Sequence, residues 1–283
     1  MLAFPFALAL VLATLSALLY SPSSTVPTSS SFPSPNNTDT QRVLLLTAHP
    51  DDEAFFFGPT LSALGRVDGV EVYSLCLSVG DGDGDGVVRV GELGRSLDVL
   101  GVEEGRKEVV DKAGLKDDIN TVWDASLVAH TVLPFVLKHN ITTILTFDNL
   151  GISSHPNHRS LYTGTRTLLA FPSTPPSLRA HALLTVPLPI KYISLLSALQ
   201  AKFDILVSSY AYLLPAWLTG DGGAGVPVPV FVAGTGDWMR AVRAVVEHKS
   251  QMRWFRWLNL VGSRYFWVNE WVEVRAAAVG KTV

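Results

Sequence analysis

The sequence has only one cysteine, Cys76, and few charged residues. One cysteine cannot form a disulfide within the chain, which fits a reducing compartment without establishing one. Charged residues make up 17% of the chain and the net charge is −3, which argues against a broad basic surface for nucleic acid. No internal repeat is visible. Without a leader of about 40 residues, the remaining length suits one α/β domain with its own core.

The first twenty residues carry no charge at all. Residues 2–20 are a mostly apolar run of nineteen, just long enough to span a hydrocarbon core of about 30 Å. The following residues are rich in Ser, Pro, Thr and Asn, a composition that indicates a flexible linker. We therefore predict a transmembrane signal anchor at 1–20, a linker at 21–41, a folded domain at 42–275 and a tail at 276–283.

A cleaved signal peptide is the alternative interpretation of this leader. Against it, no basic residue precedes the apolar run and no clear small-x-small cleavage site precedes the linker. Charges do not determine the orientation of an anchor, because the nearest basic residue is Arg42. Glycosylation motifs at 36–38 and 140–142 matter only if those segments face a lumen.

Apolar runs that end at polar turns alternate with helical patterns through the rest of the chain. The run Val43–Thr47 is typical of a buried parallel strand. Strands that alternate with helices predict an α/β fold with a mostly parallel sheet and helices on both of its faces. The expected strands are 43–47, 70–77, 142–147, 182–186, 204–208 and 228–233, and the expected helices are 54–65, 89–100, 122–138, 157–170, 191–200 and 235–247.

A histidine and three acids follow the first strand: His49, Asp51, Asp52 and Glu53. Open α/β sheets bind ligands at the carboxyl ends of their strands, so this cluster lies at the functional edge. Three adjacent carboxylates repel one another, and a cation would relieve that repulsion. The plainer interpretation is an ordinary N-capping turn, because Asp favours helix starts.

A second cluster, with His155 and His158, follows the strand at 142–147. It could be an ordinary loop pair, but two clusters at strand ends in a chain with seven histidines favour a metal site. Two histidines and one carboxylate are a common catalytic zinc shell with water in the open position. Zinc lowers the pKa of that water to about 7 and polarises a carbonyl, and amide hydrolysis needs both. Ferrous iron could occupy the same shell.

The segments AHPDDE at 48–53 and FDxxGxSxHxNH at 147–158 resemble the LmbE-like (PIG-L) deacetylase family. The resemblance covers roughly residues 42–275, specifically in three segments and loosely between them. It implies a Rossmann-like α/β domain that removes the acetyl group from N-acetylglucosamine attached to an aglycone. One departure is Ser154, where the family often has Gly, so the geometry of this loop could differ.

The resemblance also implies a role for each matched residue. His49, Asp52 and His158 correspond to zinc ligands. Asp51 corresponds to the general base, and two adjacent acids cannot both point at the metal in the same way. His155 corresponds to the group that stabilises the oxyanion and can protonate the leaving amine.

The Gly- and Asp-rich segment 81–86, followed by Glu92, matches an EF-hand pattern. A calcium site is not expected, because the preceding segment indicates a strand and Arg89 would take the ninth position of the loop. The segment also resembles the family's Gly-rich loop with RxxEL, which implies a loop bordering the active site. Arg89 is then a candidate to bind substrate or brace a carboxylate, and Asp148 a candidate to bind substrate or accept a histidine N–H.

The segment 248–271 combines aromatic and basic residues. A packed helix or hairpin is the ordinary interpretation, and a membrane-interface patch is the alternative. The patterns HxSQxxWFRxL and SRYxxxN resemble the eukaryotic branch of the family that acts on N-acetylglucosaminyl-phosphatidylinositol in glycosylphosphatidylinositol (GPI) anchor synthesis. The resemblance implies a lipid-linked sugar substrate and a single-pass location in the endoplasmic reticulum membrane, with a cytosolic catalytic domain.

Two rival functions stay open at this point. One is the same hydrolysis of another N-acetylglucosamine conjugate by a chain whose leader is cleaved. The other is a catalytically inactive, membrane-tethered binding subunit, which the complete set of matched acids and histidines argues against. No nucleic-acid partner is expected.

Overall fold

A computed structural model describes residues 3–27, 30–33, 40–82, 84–210 and 228–277. The glycosylation motif at 36–38, Asp83 of the Gly- and Asp-rich segment and the last six residues lie outside the described residues. The strands are β1 (Ser23–Thr25), β2 (Gln41–Thr47), β3 (Val70–Cys76), β4 (Lys107–Val109), β5 (Thr143–Phe147), β6 (Arg179–Leu183), β7 (Val230–Val232) and β8 (Val268–Glu273).

The helices follow the strands in alternation through most of the chain. They are α1 (Ala3–Tyr20), α2 (Asp52–Phe56), α3 (Gly58–Leu64), α4 (Gly86–Leu100), α5 (Ala125–His139), α6 (Gly151–Ser154), α7 (Pro156–Leu169), α8 (Leu188–Lys191), α9 (Leu195–Ser209), α10 (Thr235–Glu247) and α11 (Trp254–Gly262). Asp85 and Asp124 cap the starts of α4 and α5 by accepting backbone N–H groups. Gly101, in the left-handed conformation, ends α4 where the sequence predicts its end.

The described strands form one sheet with the order β1-β7-β8-β6-β5-β2-β3-β4. Its centre is parallel, because β2 pairs with β3 and β5, β3 with β4, and β5 with β6 in that sense. At the end of the sheet that contains β1, the strands are antiparallel. Here β8 is antiparallel to β6 and β7, and β1 is antiparallel to β7. The predicted α/β fold with a mostly parallel sheet is confirmed, and the antiparallel edge is an addition that the sequence pattern did not indicate.

Strand β2 lies in the middle of the core. Leu44, Leu45 and Leu46 are consecutive and all fully buried, so helices cover both faces of the sheet at this point. Strand β5 beside it is buried along its whole length. Because β2 and β5 run parallel with aligned ends, the polar loops that follow them meet at one edge of the sheet.

Several predicted elements differ from the structure. The strand predicted at 204–208 is wrong, since these residues belong to α9. The local run Ile205–Val207 favours a strand, but Ser197, Ala198 and Ala201 are buried at helical spacing, and that packing decides the conformation. The single helix predicted at 54–65 is two helices separated at Phe57. The strand predicted at 182–186 lies at 179–183, and the helix predicted at 191–200 runs from 195 to 209.

The N-terminal segment forms the 18-residue helix α1. Within the part of the chain that the structure describes, no helix combines the length and the hydropathy that a membrane span requires, so the predicted span is not confirmed. Part of the predicted linker is packed on the sheet: β1 pairs with β7, and Phe32 is buried against Phe231 and Trp271.

Candidate active site

A cavity of about 940 Å³ opens at the carboxyl edge of the sheet. The loops that follow β2 and β5 contribute most of its acidic and histidine side chains, and α4, α8 and α11 contribute further residues. The residues predicted to bind metal or to catalyse all line this one cavity, and they are His49, Asp51, Asp52, His155 and His158.

The loop after β2 separates the two adjacent aspartates. Asp51 has φ of 119°, a conformation that a residue with a side chain rarely adopts, and its N–H donates to Glu53 Oε2 at 3.0 Å. Asp52 Oδ2 accepts the N–H groups of Ala48 and His49, both at 3.0 Å. The other oxygen, Oδ1, is the one that faces His158.

The loop after β5 is organised by Asp148. Its Oδ1 accepts the N–H groups of Leu150 and Gly151 at 3.0 and 2.9 Å, and its Oδ2 accepts the N–H of Thr185 at 2.8 Å. Asp148 does not line the cavity. The geometry thus differs from both predicted roles, because these backbone bonds direct the carboxylate into the loop rather than toward substrate or a histidine.

The end of this loop positions His155 at the start of α7. Ser154 adopts φ of 63°, so the chain keeps a left-handed backbone where the family often has Gly. His155 Nδ1 then accepts the N–H of Asn157 at 3.3 Å as the helix cap, and Pro156 occupies the first helical position. The first turn of α7 consequently directs His158 into the site.

Hydrogen bonds determine which nitrogen of His49 faces the site. Its Nε2 lies 3.0 Å from Asn157 Oδ1 and 3.1 Å from Asp117 Oδ1. Asn157 Nδ2 donates to the carbonyl of Thr121 at 2.8 Å, which identifies Oδ1 as the acceptor beside the ring. Nε2 therefore carries the proton, and Nδ1 offers its lone pair to the site.

His158 turns its other ring nitrogen, Nε2, toward the site. Its Nδ1 lies 3.1 Å from the carbonyl oxygen of Gly151, which can only accept, so Nε2 is the nitrogen that faces the site. The ring stacks on Phe147 with centroids 4.2 Å apart. Burial lowers the pKa of His158, but the Asp52 carboxylate raises it above its ordinary value. The position therefore stabilises positive charge.

The three predicted ligands converge. His158 Nε2 lies 3.3 Å from His49 Nδ1 and 3.1 Å from Asp52 Oδ1, and His49 Nδ1 lies 3.9 Å from Asp52 Oδ2. Nitrogen and oxygen ligands at about 2.0–2.1 Å from a tetrahedral zinc ion lie about 3.3 Å from one another. Two lone pairs and a carboxylate oxygen at this spacing fit a divalent metal ion.

A third imidazole belongs to the same group. One nitrogen from each of His49, His155 and His158 lies within 4.8 Å of the others, so His155 borders the two predicted histidine ligands. Burial is the largest cause that lowers the pKa of His155 to about 4, and the two other histidines lower it further. Because Nδ1 accepts the Asn157 N–H, the neutral ring carries its proton on Nε2 and can donate it as a hydrogen bond.

Two guanidinium groups flank the Asp51 carboxylate. Arg256 Nη1 donates to Asp51 Oδ2, and Arg89 Nη2 lies 3.9 Å from the same oxygen. Arg256 belongs to α11, 205 residues further along the chain, and the sequence analysis did not single it out. The WFR letters of the C-terminal motif were the signal that could have identified it.

Arg89 makes several contacts inside the cavity wall. Its Nη1 donates to Asp117 Oδ2 at 3.2 Å and its Nη2 to Gln251 Oε1 at 2.6 Å. Of its two predicted roles, this geometry favours bracing a carboxylate. Gly82 and Gly84 line the cavity, so the Gly- and Asp-rich loop does border the site.

Two buried carboxylates attach the segment before α11 to the site. Glu92 accepts the N–H and the hydroxyl of Ser250 at 2.8 and 2.6 Å. Glu53 Oε1 accepts bonds from His248 Nε2 at 2.6 Å and from the hydroxyl of Ser96. Glu53 and His248 are both fully buried, and the sequence analysis missed the partnership because 195 residues separate them.

Known proteins resemble the chain in sequence and in fold. The family model described as PIG-L, GlcNAc-PI de-N-acetylase, matches residues 44–169. An N-acetylglucosaminyl-phosphatidylinositol de-N-acetylase from Bos taurus is 35% identical over 228 residues, which cover 81% of this chain and 81% of that protein. A probable N-acetylglucosaminyl-phosphatidylinositol de-N-acetylase from Schizosaccharomyces pombe is 33% identical over 226 residues, covering 80% and 84% of the two chains.

Solved structures share the fold at much lower identity. The N,N'-diacetylchitobiose deacetylase from Pyrococcus horikoshii matches with a TM-score of 0.53 and 18% identity. The match covers 83% of this chain and 84% of that chain, so the two proteins have the same overall architecture.

Proposed function

The chain belongs to the PIG-L family of GlcNAc-PI de-N-acetylases, and from that premise we propose that it hydrolyses N-acetylglucosaminyl-phosphatidylinositol. The products are glucosaminyl-phosphatidylinositol and acetate, in an early step of GPI-anchor synthesis. The observation that carries the proposal is the convergence of donor atoms from His49, Asp52 and His158 beside the Asp51 carboxylate.

The metal ion that the family implies would be held by His49 Nδ1, Asp52 and His158 Nε2. When bound there, zinc lowers the pKa of water to about 7 and polarises the acetyl carbonyl. We propose zinc, and ferrous iron is the alternative for the same donor set.

Asp51 is the general base of the proposed reaction. It takes a proton from the attacking water while the water oxygen forms a bond to the acetyl carbon. Arg256 orients the Asp51 carboxylate, and Glu53 holds its backbone N–H. When the carbon–nitrogen bond breaks, the proton passes to the nitrogen, which leaves as the free amine, and acetate keeps the water oxygen.

His155 stabilises the negative charge that develops on the acetyl oxygen. Its pKa of about 4 keeps the ring neutral at pH 7, and Nε2–H is then the donor directed at the oxygen. A neutral ring has no spare proton to give, so Asp51 rather than His155 supplies the proton to the leaving amine.

The cavity offers cationic and aromatic groups beyond the reacting centre. Lys191, Arg253 and Arg256 line it and provide donors for the phosphate diester that follows the sugar and inositol. Phe55 and Trp254 line it as well and provide apolar surface for ring faces. These residues suit a charged lipid headgroup.

We also propose a single-pass location in the endoplasmic reticulum membrane with the catalytic domain in the cytosol. The support is the uncharged segment 2–20 and the resemblance of the C-terminal segment to the eukaryotic branch. Asn140 tests the orientation, because it is exposed at the end of α5 and begins a glycosylation motif. In cells, glycosidase treatment should not change the mass of the chain, and an Asn140-dependent shift that Asn140→Gln removes would contradict the orientation.

Acetate release from N-acetylglucosaminyl-phosphatidylinositol by the detergent-solubilised full chain tests the reaction. We expect release that stops with a chelator and returns when zinc is added. Release at the full rate from protein shown to contain no metal would contradict the metal site. Metal-loaded protein that deacetylates another N-acetylglucosamine conjugate but not this lipid would contradict the proposed substrate.

A further inference from the structure

Helix α11 presents an apolar stripe outward. Trp254, Trp257, Leu258 and Val261 have exposed fractions of 77%, 51%, 63% and 71%. Their spacing of i, i+3, i+4 and i+7 places them on one face of the helix. A surface helix ordinarily turns such a stripe toward the core, so this outer face of α11 is built to contact something other than water.

The inner face of the same helix belongs to the active site. Arg256 and Asn259 line the cavity, and Leu260 is buried in the core. Trp254 lies on both surfaces, because it lines the cavity and is also largely exposed. Whatever covers the outer face of α11 therefore lies at the mouth of the cavity.

The corner between α8 and α9 extends this surface. Ser194 N donates to the carbonyl of Gly262 at 3.0 Å, which joins the corner to the end of α11. Leu188, Tyr192 and Leu196 are exposed there, with fractions of 69%, 47% and 60%. The exposed apolar residues of this corner therefore lie beside the end of α11, and we refer to the two sets together as the exposed apolar region.

Helix α9 connects this region to the N-terminal helix. Lys202 Nζ donates to the carbonyl oxygens of Leu18 and Ser21, which holds the end of α1 against α9. The uncharged N-terminal segment thus reaches the body of the protein beside the exposed apolar region.

The two chain segments that carry this region contain basic residues but no acidic ones. No Asp or Glu occurs in 184–203 or in 248–269, although the whole chain carries a net charge of −3. The same two segments contain the basic residues Lys191, Lys202, Lys249, Arg253, Arg256 and Arg264. Arg256 and Arg264 pair with Asp51 and Glu270, whereas Lys249 and Arg253 are exposed. Exposed Trp beside these two exposed basic residues suits the headgroup region of a bilayer with anionic lipids.

We propose that the outer face of α11, with the α8–α9 corner, docks on the surface of a lipid bilayer and holds the cavity mouth against it. This inference rests on the proposed function, because a lipid-linked substrate then reaches the metal site while its acyl chains stay in the bilayer. Trp257 and Leu258 insert at headgroup depth, and Arg253 faces the lipid phosphates at the rim.

A local probe separates this contact from anchoring by the N-terminal segment. The Trp257→Cys or the Leu137→Cys variant of the full chain is labelled at the new cysteine with an environment-sensitive fluorophore. The labelled chain is then reconstituted into phosphatidylcholine–phosphatidylinositol vesicles. Leu137 is a matched control, since its exposed fraction of 48% is close to the 51% of Trp257 and it lies on α5 near the opposite edge of the sheet. The native Cys76 is fully buried and serves as the labelling background.

We expect the probe at 257 to shift to shorter wavelength and to be quenched by brominated lipids, while the probe at 137 stays in water. Equal exposure of the two probes to water would overturn the proposal. Protection of position 257 only in native membranes that contain other proteins, and not in pure lipid vesicles, would also overturn it and identify a protein interface.

Activity supplies a second test. The double variant Trp257→Gln/Leu258→Gln changes exposed residues that do not line the cavity. We expect deacetylation of vesicle-embedded substrate to fall about tenfold, since two apolar contacts with lipid are lost. The rate with a water-soluble short-chain form should be unchanged, and Leu137→Gln should change neither rate.

Equal losses on both substrates would overturn the docking proposal. A wild-type chain that deacetylates neither form would contradict the proposed function instead. The quenching experiment would then still decide the docking, because it does not depend on turnover.

Discussion

Replacing Glu53 by Gln tests how the active-site loop is held. The Glu53 carboxylate is fully buried and accepts the Asp51 N–H at one oxygen, and His248 Nε2 and the Ser96 hydroxyl at the other. Glutamine keeps the volume but has one oxygen and one NH₂ group. Whichever way the amide turns, its NH₂ group faces a donor that the carboxylate satisfied.

The structure allows the magnitude to be worked out. Removing one partner of a buried ion pair costs about 3–5 kcal/mol, and one lost bond to a charged group costs about 1.5–3 kcal/mol. We expect Glu53→Gln to lower the free energy of unfolding by about 3 kcal/mol, because the amide oxygen of glutamine keeps the hydrogen bonds at one of the two oxygen positions. With a urea slope of about 3 kcal/mol per molar, the midpoint falls by about 1 M.

The assay is urea denaturation of the full chain, followed by tryptophan fluorescence with a chelator present so that metal binding does not contribute. Glu71→Gln is the matched control. The Glu71 side chain is 29% exposed and pairs with Arg42 and Arg106, so the same substitution should cost less than about 1 kcal/mol. Equal midpoint shifts for the two variants would refute the argument that the buried hydrogen bonds of Glu53 hold the loop.

Three further predictions follow from the site and the core. Asp51→Asn should lower kcat by about 10²–10⁴-fold with the metal content unchanged, whereas His158→Ala should lose both metal and turnover. Metal analysis and acetate release measure the two effects. Arg256→Gln should lower kcat by about 10–100-fold without loss of metal, because Arg256 no longer orients the Asp51 carboxylate. Arg256→Lys should recover part of the rate. An unchanged kcat in Arg256→Gln would contradict this role of Arg256. Burial lowers the pKa of His181 to about 4, and Glu273 opposes this shift. The unfolded chain therefore binds the proton more readily than the folded chain, so the free energy of unfolding falls as the pH drops from about 6.5 toward 4. From pH 7 to pH 5, His181 should lower the free energy of unfolding by about 2 kcal/mol. Urea midpoints measured at the two pH values should therefore differ less for His181→Leu than for the wild-type chain.

Local pattern was sufficient where the contacts are local or where topology brings them together. The apolar run of β2 and the polar cluster after it placed His49 and Asp52 at a strand end, and the same reasoning placed His158 after β5. Because parallel neighbours end at one edge, two clusters about a hundred residues apart could be expected in one site from the sequence alone.

Local pattern misled where packing decides the conformation. The apolar run of α9 was predicted to be a strand, although small residues at helical spacing pack against the body of the protein. Asp148 was expected to serve a histidine or the substrate, but nearby backbone N–H groups bind its carboxylate first. Both differences arise because a short window does not show which surface a residue will meet.

The sequence by itself determined the α/β class, the two clusters that meet at the candidate metal site and the family to which the chain belongs. Only the tertiary structure decided which nitrogen of each histidine is free, that Arg256 reaches Asp51, and that α11 turns its aromatic stripe outward beside the cavity. The physical reason is the sequence separation over which each kind of interaction acts. Strand periodicity and motif spacing act over a few residues, whereas a contact across 205 residues exists only after the core has fixed where α11 lies.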